Sequence, residues 1–175
     1  MRLLDQRQTA GEARASYRTV LRAVGHYLDA QHARDAQVLE LPGQLVLQFT
    51  EVEAGMNRQV VYLPLADLHA SGRILEQSGW HPGRRVRKAT GRGGHEAILG
   101  ALGAALDQAD AEMMALEELD DGGVLLTYHL YVPHAGYVPR KQHMVLGRDA
   151  QQLLVKSAAG LQGAGRRGPF GVRAR

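Results

Sequence analysis

The stretch YRTVLRAVGHYLDAQHARDAQVLEL, residues 17–41, recurs in altered form as HEAILGALGAALDQADAEMMALEEL, residues 95–119. The two segments align without a gap at an offset of 78 residues and share eight identities in 25 positions. The identical pairs are Leu21/Leu99, Ala23/Ala101, Gly25/Gly103, Leu28/Leu106, Asp29/Asp107, Ala33/Ala111, Glu40/Glu118 and Leu41/Leu119. Self-similarity at a fixed offset indicates an internal repeat, so the chain is predicted to be a tandem duplication.

Each copy is predicted to open with an amphipathic helix, because its apolar residues recur at the spacing of one helical stripe. These residues are Val20, Leu21, Val24 and Leu28 in the first copy and Ile98, Leu99, Leu102 and Leu106 in the second. A glycine inside a helix costs about 1 kcal/mol relative to alanine. Its presence at Gly25 and again at Gly103 indicates close packing of each helix against the sheet or against its sister helix.

Three strands and a second helix are predicted to follow in each copy. The strands are 38–41, 45–52 and 58–63 in the first copy and 115–119, 124–132 and 141–146 in the second, and the helices are 65–77 and 148–162. Side chains alternate between the faces of a strand. An offset of 79 residues therefore gives the second strands matching faces, with Leu45, Leu47 and Phe49 equivalent to Val124, Leu126 and Tyr128.

The predicted fold class is α+β, a tandem internal duplication of an αβββα unit with antiparallel sheets covered by helices and a pseudo-twofold body. The sheets are expected to pack edge to edge or face to face. The chain is divided into an N-terminal arm (1–15), a first unit (16–82), a basic Gly/Arg linker (83–93), a second unit (94–162) and a basic Gly/Arg tail (163–175). The α-β-β-β-α order resembles that of double-stranded-RNA-binding domains, the Alu-domain proteins of the signal recognition particle, and bacterial type III secretion chaperones. This likeness is one of topology and assigns no family.

Length and composition exclude several classes of protein. The 175 residues fit one domain, or two small units that share a core. The chain has no cysteine, which excludes a disulfide framework, an iron–sulfur cluster and a thiol nucleophile. No apolar run approaches the roughly 18 residues of a membrane span. The protein is therefore predicted to be cytoplasmic, with no membrane partner.

Charge is segregated along the chain, although the formal net charge is only +3. Residues 73–93 carry six basic side chains and one acidic side chain, and residues 163–175 carry four arginines and no acid. Residues 1–72 and 94–162 have net charges of −1 and −5. Blocks of like charge typically mark solvated segments that contact an anionic partner. The sequence therefore predicts that the protein binds nucleic acid or another polyanion.

The predicted nucleic-acid-binding residues are the basic side chains of both segments and one aromatic residue suited to stacking: Arg84, Arg85, Arg87, Lys88, Arg92, Arg166, Arg167, Arg173, Arg175 and Trp80. Contacts to phosphate position a protein without reading bases. The predicted function is a non-enzymatic nucleic-acid-associated protein that grips phosphates through these segments. The alternative is a protein-interaction module or secretion-chaperone-like adaptor that uses an apolar sheet face, with the basic segments only solubilising.

The outward face of the predicted second strands is unusually apolar for a surface in water. Its residues are Val46, Gln48, Thr50 and Val52 in the first copy and Leu125, Thr127, His129 and Tyr131 in the second. We expect the other unit or a second copy of the chain to cover this face, which makes a homo-oligomer an expected partner. Bases stacking on Tyr131 and His129 are the alternative.

No catalytic residue, metal or cofactor is predicted, and an enzyme acting between the units ranks last among the candidate functions. The segment Gly91–Gly94 leads into a helix whose amides could hold a phosphate, but it lacks a P-loop lysine and is interpreted as a linker. His95 and Glu96 begin a zincin motif, which fails because Leu99 replaces the second histidine. The remaining candidate ligands, His129, His134 and His143, have no recognised metal-ligand spacing.

Overall fold

The computed structural model describes residues 16–52, 55–77, 94–130 and 140–164. The helices in these ranges are α1 (Tyr17–Ala30), α2 (Leu65–Gln77), α3 (His95–Gln108) and α4 (Arg148–Ala164). The strands are β1 (Ala33–Leu41), β2 (Gln44–Glu51), β3 (Asn57–Pro64), β4 (Ala111–Glu118), β5 (Val124–Leu130) and β6 (Arg140–Leu146). The protein is α+β, as predicted, and each half contributes a helix, three strands and a second helix in that order.

All six strands belong to one antiparallel sheet with the order β3-β2-β1-β4-β5-β6. Of the two expected arrangements, edge-to-edge packing is confirmed and face-to-face packing is wrong: the halves share a single sheet. The shared contact pairs Val38 of β1 with Leu116 of β4. An unpaired strand edge exposes main-chain amides and carbonyls, and joining β1 to β4 satisfies those groups in both halves.

The hydrophobic core lies between the helices and one face of the sheet. Alternate strand positions that point to this side are buried, among them Leu45, Leu47, Phe49, Val124 and Leu126, and this confirms the predicted strand faces. The helices contribute Val20, Leu21, Val24 and Leu28 from α1, Leu68 from α2, and Leu99, Leu102 and Leu106 from α3, with Leu154 of α4 packed against them. The apolar stripes predicted for α1 and α3 therefore form the centre of the helix layer.

The helices α1 and α3 cross at two glycines. A Cβ atom on Gly25 would lie 2.4 Å from the main-chain oxygen of His95, and one on Gly103 would lie 2.4 Å from that of Tyr17. Both distances are shorter than any van der Waals contact, so only glycine allows the backbones to approach this closely. The predicted close packing is confirmed, and its partner is the sister helix.

The strands β1 and β4 begin earlier than predicted, at Ala33 and Ala111. Each has a bulge close to its start, between Arg34 and Gln37 in β1 and between Glu112 and Ala115 in β4. A bulge adds an unpaired residue and breaks the alternation of side chains between the two faces. The early part of each strand therefore lacks the period of two from which a strand is predicted.

Candidate functional site

One face of the sheet points away from the helices, and we call it the open face. No helix among the described residues packs against it. Two rows of side chains cross all six strands near its centre. From β3 to β6, the first row is Tyr62, Val46, Leu39, Ala115, Thr127 and His143, and the second row is Val60, Gln48, Gln37, Glu117, Leu125 and Val145.

Apolar members of both rows are accessible to solvent. The exposed fraction is 47% for Leu39, 53% for Val60, 63% for Tyr62 and 67% for Val145. Removing apolar surface from water contributes about 25 cal/mol per Å². A band of exposed apolar side chains that crosses a whole sheet is typical of a surface that another molecule covers.

Charged side chains of the open face lie mainly toward its ends. Arg34 and Arg58 occupy one end of the first half, and Glu112 and Lys141 occupy the opposite end of the second half. In the two central rows Glu117 is the only acidic residue, and there is no lysine or arginine. The guanidinium of Arg58 reaches the second row, where it contacts the side-chain oxygen of Gln48. The two rows otherwise carry few charges, as is usual at the centre of a protein interface.

The outward positions predicted for the second strands are confirmed for the residues that the structure describes in β2 and β5: Val46, Gln48, Thr50, Leu125, Thr127 and His129. The expectation that the other unit covers them is wrong, because the halves lie side by side. Val52 follows β2 and is half-buried, whereas Tyr131 lies outside the described residues. Val60 and Tyr62 were not predicted on this face, because RQVVYL is apolar on both faces and its alternation does not tell which face meets the core. Leu39 was not predicted either, because it lies in β1, where a bulge interrupts the alternation.

The predicted nucleic-acid-binding residues Arg84, Arg85, Arg87, Lys88, Arg92, Arg166, Arg167, Arg173, Arg175 and Trp80 all lie outside the described residues. The residues that flank 78–93 can be placed, and both belong to the helix layer. On one side, Glu76 accepts a hydrogen bond from the Thr19 hydroxyl at 2.9 Å. On the other, the Gly94 amide donates to Asp29 at 3.2 Å. Both flanking residues therefore lie on the side of the sheet opposite to the open face.

The N-termini of α1 and α3 are occupied by carboxylates of this chain. The Asp29 carboxylate accepts hydrogen bonds of 3.0–3.2 Å from the main-chain amides of residues 94–96. The Asp107 carboxylate accepts bonds of 2.8 and 3.0 Å from the amides of residues 17 and 18. The free amides that make a helix start attractive to phosphate are already paired. At the start of α3 the amides of residues 94–96 are therefore not available to a phosphate, and residues 91–93 of the phosphate-site alternative lie outside the described residues.

A charged cluster joins the two halves beside the α3 cap. Nδ1 of His95 lies 2.9 Å from the Asp29 carboxylate, and Nε2 lies 3.6 Å from the Glu118 carboxylate. Burial disfavours the charged imidazole, but the hydrogen bonds and negative charges of Asp29 and Glu118 outweigh it and raise the pKa of His95 to about 9. Against the effect of burial, the same contacts and nearby amides lower the pKa of Asp29 and of Glu118. The cluster thus holds an imidazolium between two carboxylates. Its contact between His95 and Asp29 joins the second half to the first.

In the first half, Tyr17 contacts Glu40 as His95 contacts Glu118 in the second half. The Tyr17 hydroxyl donates to Glu40 at 2.5 Å, and Glu40 also accepts a bond from the Met114 amide across the β1–β4 contact. Glu118 accepts a bond from the Ala36 amide in the same way. Glu40 and Glu118 stand out in the sequence as an identical pair, but their partners are distant in the chain and gave no local signal.

The histidines considered as metal ligands do not form a metal centre in the described ranges. His143 lies on the open face with Nδ1 3.1 Å from the Thr127 hydroxyl. His129 lies on the same face, and His134 lies outside the described residues. Within those residues, no group of three His, Asp or Glu side chains is placed to hold a metal ion. None of the helices in the described part of the chain is long and apolar enough to cross a membrane.

Comparisons with protein-family models, with curated proteins and with solved structures give no match to the chain.

Proposed function

We propose that the protein is a non-enzymatic protein-interaction module whose binding surface is the open face. The observation that carries this proposal is the exposure of Leu39, Val60, Tyr62 and Val145 in two rows that cross the sheet. This is the alternative of the two functions predicted from the sequence. The lack of lysine and arginine in the central rows favours it over phosphate binding at this face.

The open face is supported from behind by the helix layer, which suits it to binding another molecule. The strands that carry it are packed from behind by the α1–α3 layer, so the exposed side chains are presented on a rigid support. Main-chain groups inside the sheet are paired with neighbouring strands, and binding at the face therefore uses side chains. An apolar centre with charged groups toward its ends matches the usual plan of a protein interface, in which a polar rim surrounds a core depleted of charge.

Site-specific photo-cross-linking in cells tests the proposal. A benzophenone amino acid is introduced in the full chain at Tyr62, on the open face, or at Ile74, on α2. These residues form a matched pair because their exposed fractions are 63% and 66%. We expect a cross-linked protein adduct from the probe at position 62 and none from the probe at position 74.

The adduct identifies the class of partner. A nuclease-resistant adduct that forms at position 62 alone supports the proposal, whether the trapped protein is another chain or a second copy. An adduct that nuclease removes would instead place nucleic acid on the open face and contradict it. Absence of an adduct at position 62, or equal adducts at both positions, also contradicts it.

Nucleic-acid binding through the Gly/Arg segments is the second candidate. It is favoured by the net charge of +5 for residues 73–93 and +4 for residues 163–175, counted over Lys, Arg, Asp and Glu. The described residues on either side of the linker, Glu76 and Gly94, belong to the helix layer, which lies on the side of the sheet opposite to the open face. The two candidate functions are compatible, and a salt titration separates them.

We also infer that the two halves derive from one duplicated αβββα unit with pseudo-twofold symmetry. The inference is supported by features that recur 78 residues apart: the caps Asp29 and Asp107, the crossing glycines Gly25 and Gly103, the carboxylates Glu40 and Glu118, and the left-handed residues Asp35 and Met113. The pair Val38/Leu116 at the centre of the sheet has the same separation. These features concern backbone geometry and capping, which composition alone does not reproduce.

A further inference from the structure

We infer that the buried ion pair between Arg22 and Glu96 determines which halves of this protein pair with each other. It makes a first half select a second half, and it disfavours the pairing of two like halves. This inference goes beyond the proposed function and does not involve the open face. It rests on the inferred pseudo-twofold relation between the two halves.

The ion pair lies in the helix layer, between α1 of the first half and α3 of the second. Nε of Arg22 donates a hydrogen bond of 3.1 Å to the Glu96 carboxylate, and the two side chains are 4% and 11% exposed. A second guanidinium nitrogen of Arg22 donates to the main-chain carbonyl of Leu75 at 2.9 Å. The other carboxylate oxygen of Glu96 lies 3.0 Å from Nδ1 of His26. The ion pair is therefore a contact between the halves that is shielded from water.

Stability alone does not account for a buried ion pair. The cost of removing two charges from water offsets most of their attraction, and apolar residues of similar size often replace such a pair without loss of stability. Removing one member is different, because the other is then buried without its counter-charge. A buried ion pair can therefore select one arrangement over others by disfavouring those that separate its members.

The pseudo-twofold relation excludes a second copy of this ion pair. The offset of 78 residues makes Gly100 the equivalent of Arg22, and Arg18 the equivalent of Glu96. A Cβ atom on Gly100 would lie 3.5 Å from Cβ of Arg22, so the arginine packs where the second half has no side chain. Other contacts of the helix crossing recur in both halves: the caps Asp29 and Asp107 and the glycines Gly25 and Gly103.

The pairing of two first halves from different copies would bring like charges together. Arg22 of each copy would then lie beside Arg18 of the other, where Glu96 lies in the native pairing. Neither arginine supplies the carboxylate that the buried guanidinium contacts. Two first halves are therefore disfavoured as partners.

The pairing of two second halves would separate Glu96 from its cation. Glu96 of each copy would lie beside Gly100 of the other, and the residue equivalent to His26 is Ala104. Neither glycine nor alanine can donate to the carboxylate through a side chain. The caps and crossing glycines occur in both halves and would accept either kind of partner, so Arg22 and Glu96 supply a distinction that the repeated contacts lack.

A duplicated chain needs this distinction because it carries two related versions of one interface. The 16 residues between Gln77 and Gly94 are long enough to span up to about 55 Å, so the chain length allows a half to reach a second copy. Pairing of like halves would join first halves to first halves and second halves to second halves. Such contacts can continue from copy to copy without closing, which leads to open assemblies.

Exchange of halves between two variants of the full chain tests the inference. Arg22→Met and Glu96→Met each leave one member of the ion pair without the other. In a dimer of the two variants that exchanges unlike halves, one interface has the natural Arg22–Glu96 pair and the other has methionine at both positions. The dimer therefore removes the defect of each monomer, and a variant that fails to fold alone should fold in the mixture.

Cysteine cross-linking detects this dimer, since the chain has no cysteine of its own. Val38 and Leu116 pair across the centre of the sheet and are both buried. Val38→Cys is added to the Glu96→Met chain and Leu116→Cys to the Arg22→Met chain, and the two are unfolded in urea, mixed and refolded with an oxidant. The interface with the natural ion pair then places the two cysteines opposite each other in adjacent strands, at a spacing that a disulfide can bridge. We expect a covalent dimer of twice the 19.1 kDa monomer mass.

Matched controls isolate the ion pair. The same two cysteines in chains with natural Arg22 and Glu96, or in chains that both carry Arg22→Met and Glu96→Met, should give at least about tenfold less covalent dimer, because each monomer already has matched residues. Val38→Cys in both single variants reports the pairing of first halves, since the offset of 78 places position 38 of one copy opposite position 38 of the other. It should give no covalent dimer. In urea denaturation, the chain with both methionine changes should be at least as stable as either single variant.

Each possible result supports or overturns the inference. Absence of the covalent dimer from the mixed single variants would overturn it, as would equal yields from the mixture and from either matched control. A disulfide between two copies of position 38 would show that like halves pair, and it would overturn the inference as well. The photo-cross-linking expected at position 62 does not depend on these results, so the proposed function stands or fails separately.

Discussion

Asp29, near the end of α1, caps the N-terminus of α3, and Asp107, near the end of α3, caps the N-terminus of α1. Each helix of the central pair therefore supplies the group that satisfies the other's unpaired amides. Capping from a distant residue means that neither half completes its first helix alone. We therefore expect the halves to unfold as one cooperative unit.

The first prediction concerns these two carboxylates. Replacing Asp29 or Asp107 with alanine should lower the free energy of unfolding by about 1–2 kcal/mol, because each change leaves helix N-terminal amides unpaired. Urea denaturation followed by circular dichroism measures the change. Asp67→Ala is the control, since Asp67 is an exposed residue in the first turn of α2 and should change the stability by less than about 0.5 kcal/mol. Equal effects of all three changes would show that the reciprocal caps have no special role.

The second prediction concerns the crossing of α1 and α3. Gly25→Ala and Gly103→Ala should each destabilise the protein by more than about 2 kcal/mol, since the added methyl group would overlap main-chain atoms that cannot rotate away. The control is Gly100→Ala. Gly100 lies in α3, as Gly103 does, but a Cβ atom added there would be 3.5 Å from the nearest side-chain atom of Arg22. That control should be neutral or stabilising by up to about 1 kcal/mol, from helix propensity. Tolerance of alanine at position 103 would contradict the observed helix crossing.

The third prediction is a pH dependence centred on His95. Its pKa is raised from 6.5 to about 9, so the stabilisation that it contributes is fully present below pH 6.5 and is lost as the pH rises through about 9. The pKa values of Asp29 and Glu118 are lowered, so their contribution is present above their ordinary values of 3.8 and 4.5 and is lost as the pH falls through the lowered values.

The variant His95→Gln isolates the alkaline part of this effect. At pH 6 it should be less stable than the natural chain by an amount of order 2 kcal/mol, and the difference should shrink by pH 10 as His95 loses its charge. Urea denaturation across this range provides the measurement. Tyr17→Phe, which removes the equivalent contact with Glu40, is the control and should show no comparable change between pH 6 and 9. A stability difference that is constant with pH would contradict the charged state of His95.

The fourth prediction concerns the basic segments and the second candidate function. If they contact phosphates, the logarithm of the affinity for duplex DNA should fall linearly with the logarithm of the salt concentration, with a slope near −0.9 per contact. Truncation after Ala164 should make this slope less steep by the amount that corresponds to up to four phosphate contacts, because it removes Arg166, Arg167, Arg173 and Arg175. Replacing Arg84 and Arg85 should weaken all sequences about equally. Absence of binding at about 50 mM salt would leave the protein-interaction function as the only candidate.

Local elements could be predicted well from the sequence. The prediction gave the bounds of α2 in full and those of β3 to within one residue at each end, because both carry their own periodicity and Pro64 marks the end of β3 and the start of α2. The buried faces of β2 and β5 followed from the alternation of Leu45, Leu47 and Phe49. The starts of β1 and β4 were missed, since a bulge removes the alternation on which such a prediction depends.

The sequence by itself determined the order of elements, the repeated helix stripe and the segregation of charge, because these depend on residues that are close in the chain. The tertiary structure alone decided that Val38 pairs with Leu116, and this contact makes one sheet of the two halves and leaves the face of Leu39 and Tyr62 open. It alone also brought Asp29 and Glu118 to His95 and raised the pKa of that histidine. The Val38–Leu116 and Asp29–His95 contacts join residues more than 60 positions apart in the chain, and Glu118 meets His95 from a different element. No local pattern of side chains specifies which backbone group or charge of another element will meet them.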